Sequence, residues 1–184
     1  MIFYHVVTDR PMSVGQHIVF DGEHRSGVWQ RVQAKLPAVR EIYREPEKYA
    51  GAALEHHTDV ALRELALEKV RLEKYPQYPS RLASLYVSKT YEEAEKWADY
   101  FVSLGRPTFC IVKLEVNGRC FEGDAYKCFD GTPSEEENLR LAEIYWRNGE
   151  NEDGHPPITE VLVDGDILVA GIMKEIGANL PASP

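Results

Sequence analysis

Three short stretches put a chemically able side chain into strand-like surroundings: FYHVVT with His5, SLYVSKTYEEAEKW with Tyr86, and ITEVLV with Glu160. Aromatic and β-branched residues dominate the core of each, the composition of a strand. A strand interior has no need of an imidazole. Either His5 is a polar residue on an edge face, or the strand presents it to partners elsewhere in the chain. The three segments together offer an imidazole that hydrogen-bonds, an aromatic face that stacks, and a carboxylate that carries charge. Each alone has an ordinary structural explanation: a strand histidine in the fabric of the sheet, a tyrosine at core or rim, a glutamate solvated at a strand head. Their ordered combination is what favours a functional reading.

No other grouping carries a comparable signature. His56 and His57 read as a solvated helix face without a partner at metal-ligand spacing, and His17, His24 and His155 belong to no constellation. No metal site is expected. Cys110, Cys120 and Cys128 are an odd, sparse set without CxxC spacing, which fits a reducing cytoplasm better than a disulfide framework. Cys110, Trp29 and Trp146 read as packing residues. No Ser/His/Asp signature, GxGxxG or GxxxxGK[ST] is present. The net charge of -9, from 21 basic and 30 acidic residues, weakens a case for broad nucleic-acid binding but leaves room for a local basic cleft. No apolar run approaches a membrane span, and no basic-then-apolar leader opens the chain. A cytoplasmic protein that binds no membrane is the expectation.

The elements that must position these residues follow from pattern. Met1 to about Phe20 predicts two strands around Asp9-Arg10-Pro11. Helical patterning begins near Val28, punctuated by Pro37 and Pro46. Ala52 to Tyr75 predicts an amphipathic helix with Leu54, Ala61, Leu65 and Leu72 near one stripe, ended by Pro76 and Pro79. Leu82 to Ser88 predicts a short strand. Thr90 and Glu93 form a capping box for a helix to about Leu104, with Gly105 as its C-cap. Phe109 to Val116 alternates as a strand, followed by the turn signal Asn117-Gly118. Ser134-x-x-Glu137 predicts a second capping box and a helix to about Trp146, and the acidic run Glu135-Glu136-Glu137 suits a helix N-terminus. Asn148 to Pro157 reads as a polar loop. Ile158 to Val163 and Asp166 to Ile176 flank Asp164-Gly165 as a hairpin or a tight strand corner. Strands at both ends with helices between predict an α+β fold in a single domain over residues 1–177, with residues 178–184 a frayed tail.

Here the chain resembles the ADP-ribosyltransferase superfamily, in the branch typified by diphtheria toxin and the poly-ADP-ribose polymerases. FYH resembles that branch's first-strand Tyr/Trp-His motif. LYVSKTYEEA is similar to its middle strand, where a tyrosine precedes a small-residue turn and a helix. TEVLV is similar to its late strand, with a glutamate at the head. The first two segments also resemble the small bacterial rifampin ADP-ribosyltransferases. The resemblance covers about a quarter of the chain. It implies a split β-sheet core with surrounding helices, NAD as substrate, and transfer of ADP-ribose to an acceptor with release of nicotinamide. The acceptor stays open among a protein side chain, a small molecule, a nucleic-acid base and water.

The same resemblance assigns candidate roles. Glu160 would stabilise the oxocarbenium-like charge on the ribose, His5 would hold a ribose hydroxyl, and Tyr86 would pack on the nicotinamide ring. Trp97 would add a second aromatic face. Val6 stands where the family has the glycine whose backbone bonds the nicotinamide amide, and its side chain narrows that approach. Thr8 replaces a small hydroxyl residue. Arg81, with Ser80 and Ser84 nearby, is the candidate for the pyrophosphate. Residue 158 is Ile, so there is no Glu-x-Glu, and Asp124 is an alternative acidic residue. Two rivals stay open: a catalytically silent nucleotide-binding or interaction module of the same fold, and a structural or regulatory domain with no NAD site.

Overall fold

The structure, a computed structural model, describes residues 1–8, 10–20 and 24–177, so the frayed-tail expectation for 178–184 lies outside the described residues. In chain order the elements are β1 (Ile2–Val7), β2 (His17–Phe20), α1 (Gly27–Arg44), α2 (His56–Lys74), β3 (Leu85–Val87), α3 (Tyr91–Ser103), β4 (Cys110–Asn117), β5 (Cys120–Asp124), α4 (Glu135–Arg147), β6 (Thr159–Val163) and β7 (Gly165–Glu175), with short 3-10 turns at Pro46–Lys48 and Ala125–Lys127. One sheet has the order β1-β4-β7-β2 and the other β3-β6-β5, with every pairing antiparallel. This is a small single domain of class α+β.

The two sheets share a core. Phe3 and Val7 of β1, Val112 and Leu114 of β4, and Ile167 and Val169 of β7 pack with Val87, Val161 and Val163 of the second sheet. Alternation along each strand puts the intervening residues on the other face. Tyr4 and Val6 turn to α3, against Ala94, Ala98 and Trp97. Tyr86 and Leu162 turn to α2 and α4, against Leu67, Tyr145 and Trp146. α3 begins as its sequence predicts: the Glu93 N–H donates to Thr90 Oγ1 at 3.2 Å, and the Thr90 N–H to Glu93 Oε2 at 3.3 Å. The box at α4 is only half made. Glu137 N–H donates to Ser134 Oγ at 3.2 Å, but the Glu137 carboxylate turns to Arg140, one turn on, at 2.7 Å.

Three local expectations are corrected. Pro37 lies inside α1 without ending it, because Val32, Val39 and Ile42 on both sides of it are buried in one cluster with α2. The buried face of α2 is not the stripe through Leu72, which is 60% exposed. α1 and α4 pack on two sides of α2, so the buried arc is wider and runs through Ala61, Leu62, Leu67 and Val70, and takes in Glu64 and Arg71. Asn117-Gly118 is not a hairpin turn, since β4 and β5 belong to different sheets.

Asp164-Gly165 is likewise a corner between sheets, and the two corners lie back to back. A Cβ on Gly118 would fall 1.9 Å from the Asp164 carbonyl oxygen, and Gly165 has a φ of +87°. Arg119 locks the pair, donating from its backbone N–H and Nε to the buried Asp164 carboxylate, each at 3.0 Å. Gly118→Ala must push backbone against backbone. It is expected to cost about 1–3 kcal/mol, the usual range for overpacking. The measurement is a urea transition with a lowered midpoint and an unchanged slope; an unaltered midpoint would show that the corners do not meet.

Candidate functional site

Among the described residues the two sheets touch edge to edge at an isolated bridge. Tyr4 and Ser88 form a single antiparallel bridge, Tyr4 N–H to the Ser88 carbonyl at 2.9 Å and Ser88 N–H to the Tyr4 carbonyl at 2.7 Å. Backbone polar groups alternate sides along a strand, so Val6, two residues beyond Tyr4, directs its N–H and C=O to the same side, toward β3. Pairing does not continue there. Instead His5 Nδ1 lies 2.7 Å from the Tyr86 carbonyl. A carbonyl only accepts, so Nδ1 is the donor, and this bond fixes the ring of His5 across the seam.

Tyr86 and Glu160 stand on adjacent strands. The register pairs Tyr86 with Leu162, which makes Glu160 the diagonal neighbour of Tyr86 on the same face. Between them sits Arg81, on the stretch leading into β3 and 5% exposed. Its Nε donates to Glu64 Oε2 at 2.9 Å and its Nη2 to Glu64 Oε1 at 3.3 Å. Its Nη1 donates to Tyr145 Oη at 2.7 Å and to Glu160 Oε1 at 2.8 Å. Tyr145 Oη in turn lies 2.7 Å from Glu160 Oε1. The guanidinium carbon sits 5.2 Å from the ring centre of Tyr86 and 5.0 Å from that of Tyr145, within cation–π range.

Electrostatics follow from this enclosure. Burial would push the Glu64 carboxyl up, but Arg81 and then Arg63 outweigh it and hold it below the ordinary value. Burial works against the charged Arg81 too, and Glu160 and Glu64 overcome it, so Arg81 stays protonated. Burial pushes the phenols of Tyr86 and Tyr145 well up, so both keep their protons near neutrality. Cys128, beside the same groups, is pushed up to about 11, chiefly by burial, and is a neutral thiol rather than a nucleophile.

Placement of the sequence candidates divides them. Tyr86, Arg81 and Glu160 lie together on the face of the second sheet that packs on α2 and α4, and His5 reaches the Tyr86 backbone carbonyl from across the seam. Val6 and Trp97 lie together on the other face of β1, packed in the α3 cluster. Thr8 is half-buried just past the end of β1. The expectation that Arg81 reaches a pyrophosphate does not match its placement: four hydrogen bonds turn its guanidinium inward onto two carboxylates and a phenol. Ser80 is likewise engaged, donating to Glu68 at 2.8 Å. Asp124, the alternative acid, is 1% exposed and organises its own neighbourhood. It accepts from Asn151, Lys127 and the backbone N–H groups of Ile158 and Tyr126, and together these overcome its burial and keep it ionised. Asp124 thereby ties the 148–157 loop to the head of β6.

Glu64, Tyr145 and Cys128 were not among the sequence candidates. Glu64 had a signal: it falls three residues after Ala61 and three before Leu67, inside the apolar stripe. Among the described residues no group of three or more His, Cys, Asp or Glu is arranged to hold a metal ion. None of the helices described is long and apolar enough to cross a membrane. Two surface concavities, of about 310 and 410 Å³, lie away from the seam, one beside Asp59 and Gly131 and one beside His17 and Asp166. Neither contains any member of the network.

Fold and site together define a single-domain α+β protein with two antiparallel sheets, a histidine bonded across their seam, and a buried Arg81 network with Glu64, Tyr145 and Glu160 against the second sheet. Within that class the chain belongs to the DUF2441 family: residues 3–176 match its profile, described as a protein of unknown function. A search of curated proteins found no match.

Proposed function

We propose that the protein binds NAD at the seam between its two sheets and breaks the nicotinamide–ribose bond, passing ADP-ribose to an acceptor. The observation that carries this reading is the break in strand pairing after the Tyr4–Ser88 bridge. It aims one backbone donor and one backbone acceptor of Val6 at the gap, the complement of a carboxamide, while His5 is held across the seam and Glu160 stands beside Tyr86. In the reaction the C1′–N bond of the ribose breaks, its electron pair goes to the ring nitrogen, and neutral nicotinamide leaves. An acceptor nucleophile then bonds C1′ and gives up a proton. Glu160 faces the cation that develops between these events, and His5 and Tyr86 orient sugar and ring. Arg81 serves here as the counter-charge of Glu160 rather than as a phosphate ligand. The fold this reading calls for is the split-sheet core of the ADP-ribosyltransferases, and the two-sheet arrangement is compatible with it.

A second reading has its own observation. Glu160 is already paired with Arg81, and the Val6 side chain is packed where the resembling proteins have glycine. Those features favour a silent NAD-binding module. One pair of measurements separates the readings. NAD is expected to raise the melting temperature, by RT ln(1 + [L]/Kd) in free energy, as does any ligand bound only by the folded state. Nicotinamide release should accompany it. Stabilisation without release would leave the silent module, and no stabilisation would end both readings.

A further inference from the structure

We infer that Tyr145 is a positioning residue for Glu160: its hydroxyl, with Arg81 held from behind by Glu64, pins one carboxylate oxygen and leaves the other as the atom presented to the ligand. This rests on the seam being the NAD site.

The hydrogen-bond directions are forced. Arg81 Nη1 carries only donors, so at 2.7 Å Tyr145 Oη must accept from it. The tyrosine proton is then spent on Glu160 Oε1, also at 2.7 Å. Arg81 Nη1 donates to the same oxygen at 2.8 Å. Three groups thus close a ring in which every proton has one place to go. Oε1 receives two donors, which fix the plane of the carboxylate. Arg81 cannot swing away, because the opposite edge of its guanidinium is gripped by both oxygens of Glu64, a side chain 2% exposed.

The two oxygens of Glu160 therefore differ. Oε2 accepts no hydrogen bond from the described residues. Among those residues the buried side-chain polar atom left without a partner is Ser84 Oγ, so Oε2 opens to solvent. A carboxylate held on one oxygen and open on the other is arranged to meet a ribose hydroxyl and the charge developing beside it. Tyr145 itself is wholly buried in α4, against Phe121 and Trp146, so it acts through Glu160 and touches no ligand.

Tyr145→Phe keeps the ring and its packing and removes only the hydroxyl. Nicotinamide release by the full chain is expected to lose about 10- to 100-fold in kcat, on the scale of a small misplacement of a catalytic group. KM for NAD should stay within about twofold, because ground-state contacts are untouched. Glu64→Gln, which loosens the grip on Arg81, should move kcat in the same direction, and it keeps the test alive should Tyr145→Phe fold poorly. Tyr78→Phe, a neighbouring aromatic stacked on Trp146 at 6.0 Å, is the control and should change neither constant. An active wild type whose kcat survives both Tyr145→Phe and Glu64→Gln overturns the inference and leaves the NAD reading standing. So does a rate loss that merely tracks the folded fraction. A wild type that neither binds NAD nor releases nicotinamide overturns the reading and this inference with it.

Discussion

Glu160→Gln is expected to bind NAD with nearly the affinity of the wild type and to release nicotinamide about 100- to 1,000-fold more slowly, the usual cost of removing one electrostatic stabiliser of a transition state. The geometry explains why binding should survive. Glutamine keeps an oxygen in the place of Oε1, where Arg81 and Tyr145 donate at 2.8 and 2.7 Å, so the side chain stays anchored. What disappears is negative charge on the oxygen that faces solvent. That charge matters only while the ribose is cationic, so its loss falls on the chemical step and not on ground-state affinity. His5→Ala should behave differently. His5 holds the seam through the Tyr86 carbonyl at 2.7 Å, and losing it loosens the site before any bond breaks. Affinity by calorimetry, set beside the rate of nicotinamide release, separates the two patterns. A Glu160→Gln protein turning over at the wild-type rate would remove Glu160 from the mechanism. Asp124 would not inherit the role, since four donors hold its carboxylate inward.

Local rules made much of this fold legible and left the site half-read. Strand composition and turn residues located β1, β3, β4 and β6, and the Thr90–Glu93 box marked the start of α3, because each depends on neighbours within a few residues. The connection of the sheets was not legible in that way. Asn117-Gly118 has the chemistry of a hairpin turn, but whether β5 folds back on β4 or crosses to another sheet is decided by β7 competing for the same edge of β4. The bond from His5 to the Tyr86 backbone carbonyl could not be read from spacing, since it spans 81 positions of sequence. Glu64 and Tyr145 escaped notice for another reason. A polar residue on an amphipathic helix is read as solvent-facing by default, and only a partner arriving from a distant element, here Arg81, makes burial tolerable. Arg81 is legible as a cation beside the tyrosine strand, but the carboxylates that reach it, Glu64 and Glu160, come from distant elements that local sequence does not specify.

Arg81→Met is expected to destabilise the protein by about 3–5 kcal/mol at neutral pH, the range for breaking a buried ion pair from one side. Methionine fills much of the space but leaves Glu64, 2% exposed, and Glu160, 10% exposed by side chain, without their shared cation. Arg63 remains 3.2 Å from Glu64 Oε1 and keeps the loss toward the lower end. The dependence on pH gives a sign test. In the wild type, burial would raise the Glu64 carboxyl but Arg81 and Arg63 hold it below its ordinary 4.5. Its contribution to stability is therefore present above that value and is lost as pH falls through the lower, folded one. Without Arg81 burial prevails, and the carboxyl rises above its unfolded value. The protonated form is then the stable one in the fold, so the deficit of the variant is smallest in acid and grows as pH rises toward neutrality. Adding Glu64→Gln to Arg81→Met removes the stranded charge and should restore part of the loss at neutral pH, with little effect in mild acid. Urea transitions of the three proteins at neutral pH and in mild acid decide the matter. A deficit below about 1 kcal/mol at neutral pH, the size of an exposed pair, or one that widens on acidification, would mean that Arg81 is not the charge that makes this buried pair of glutamates tolerable.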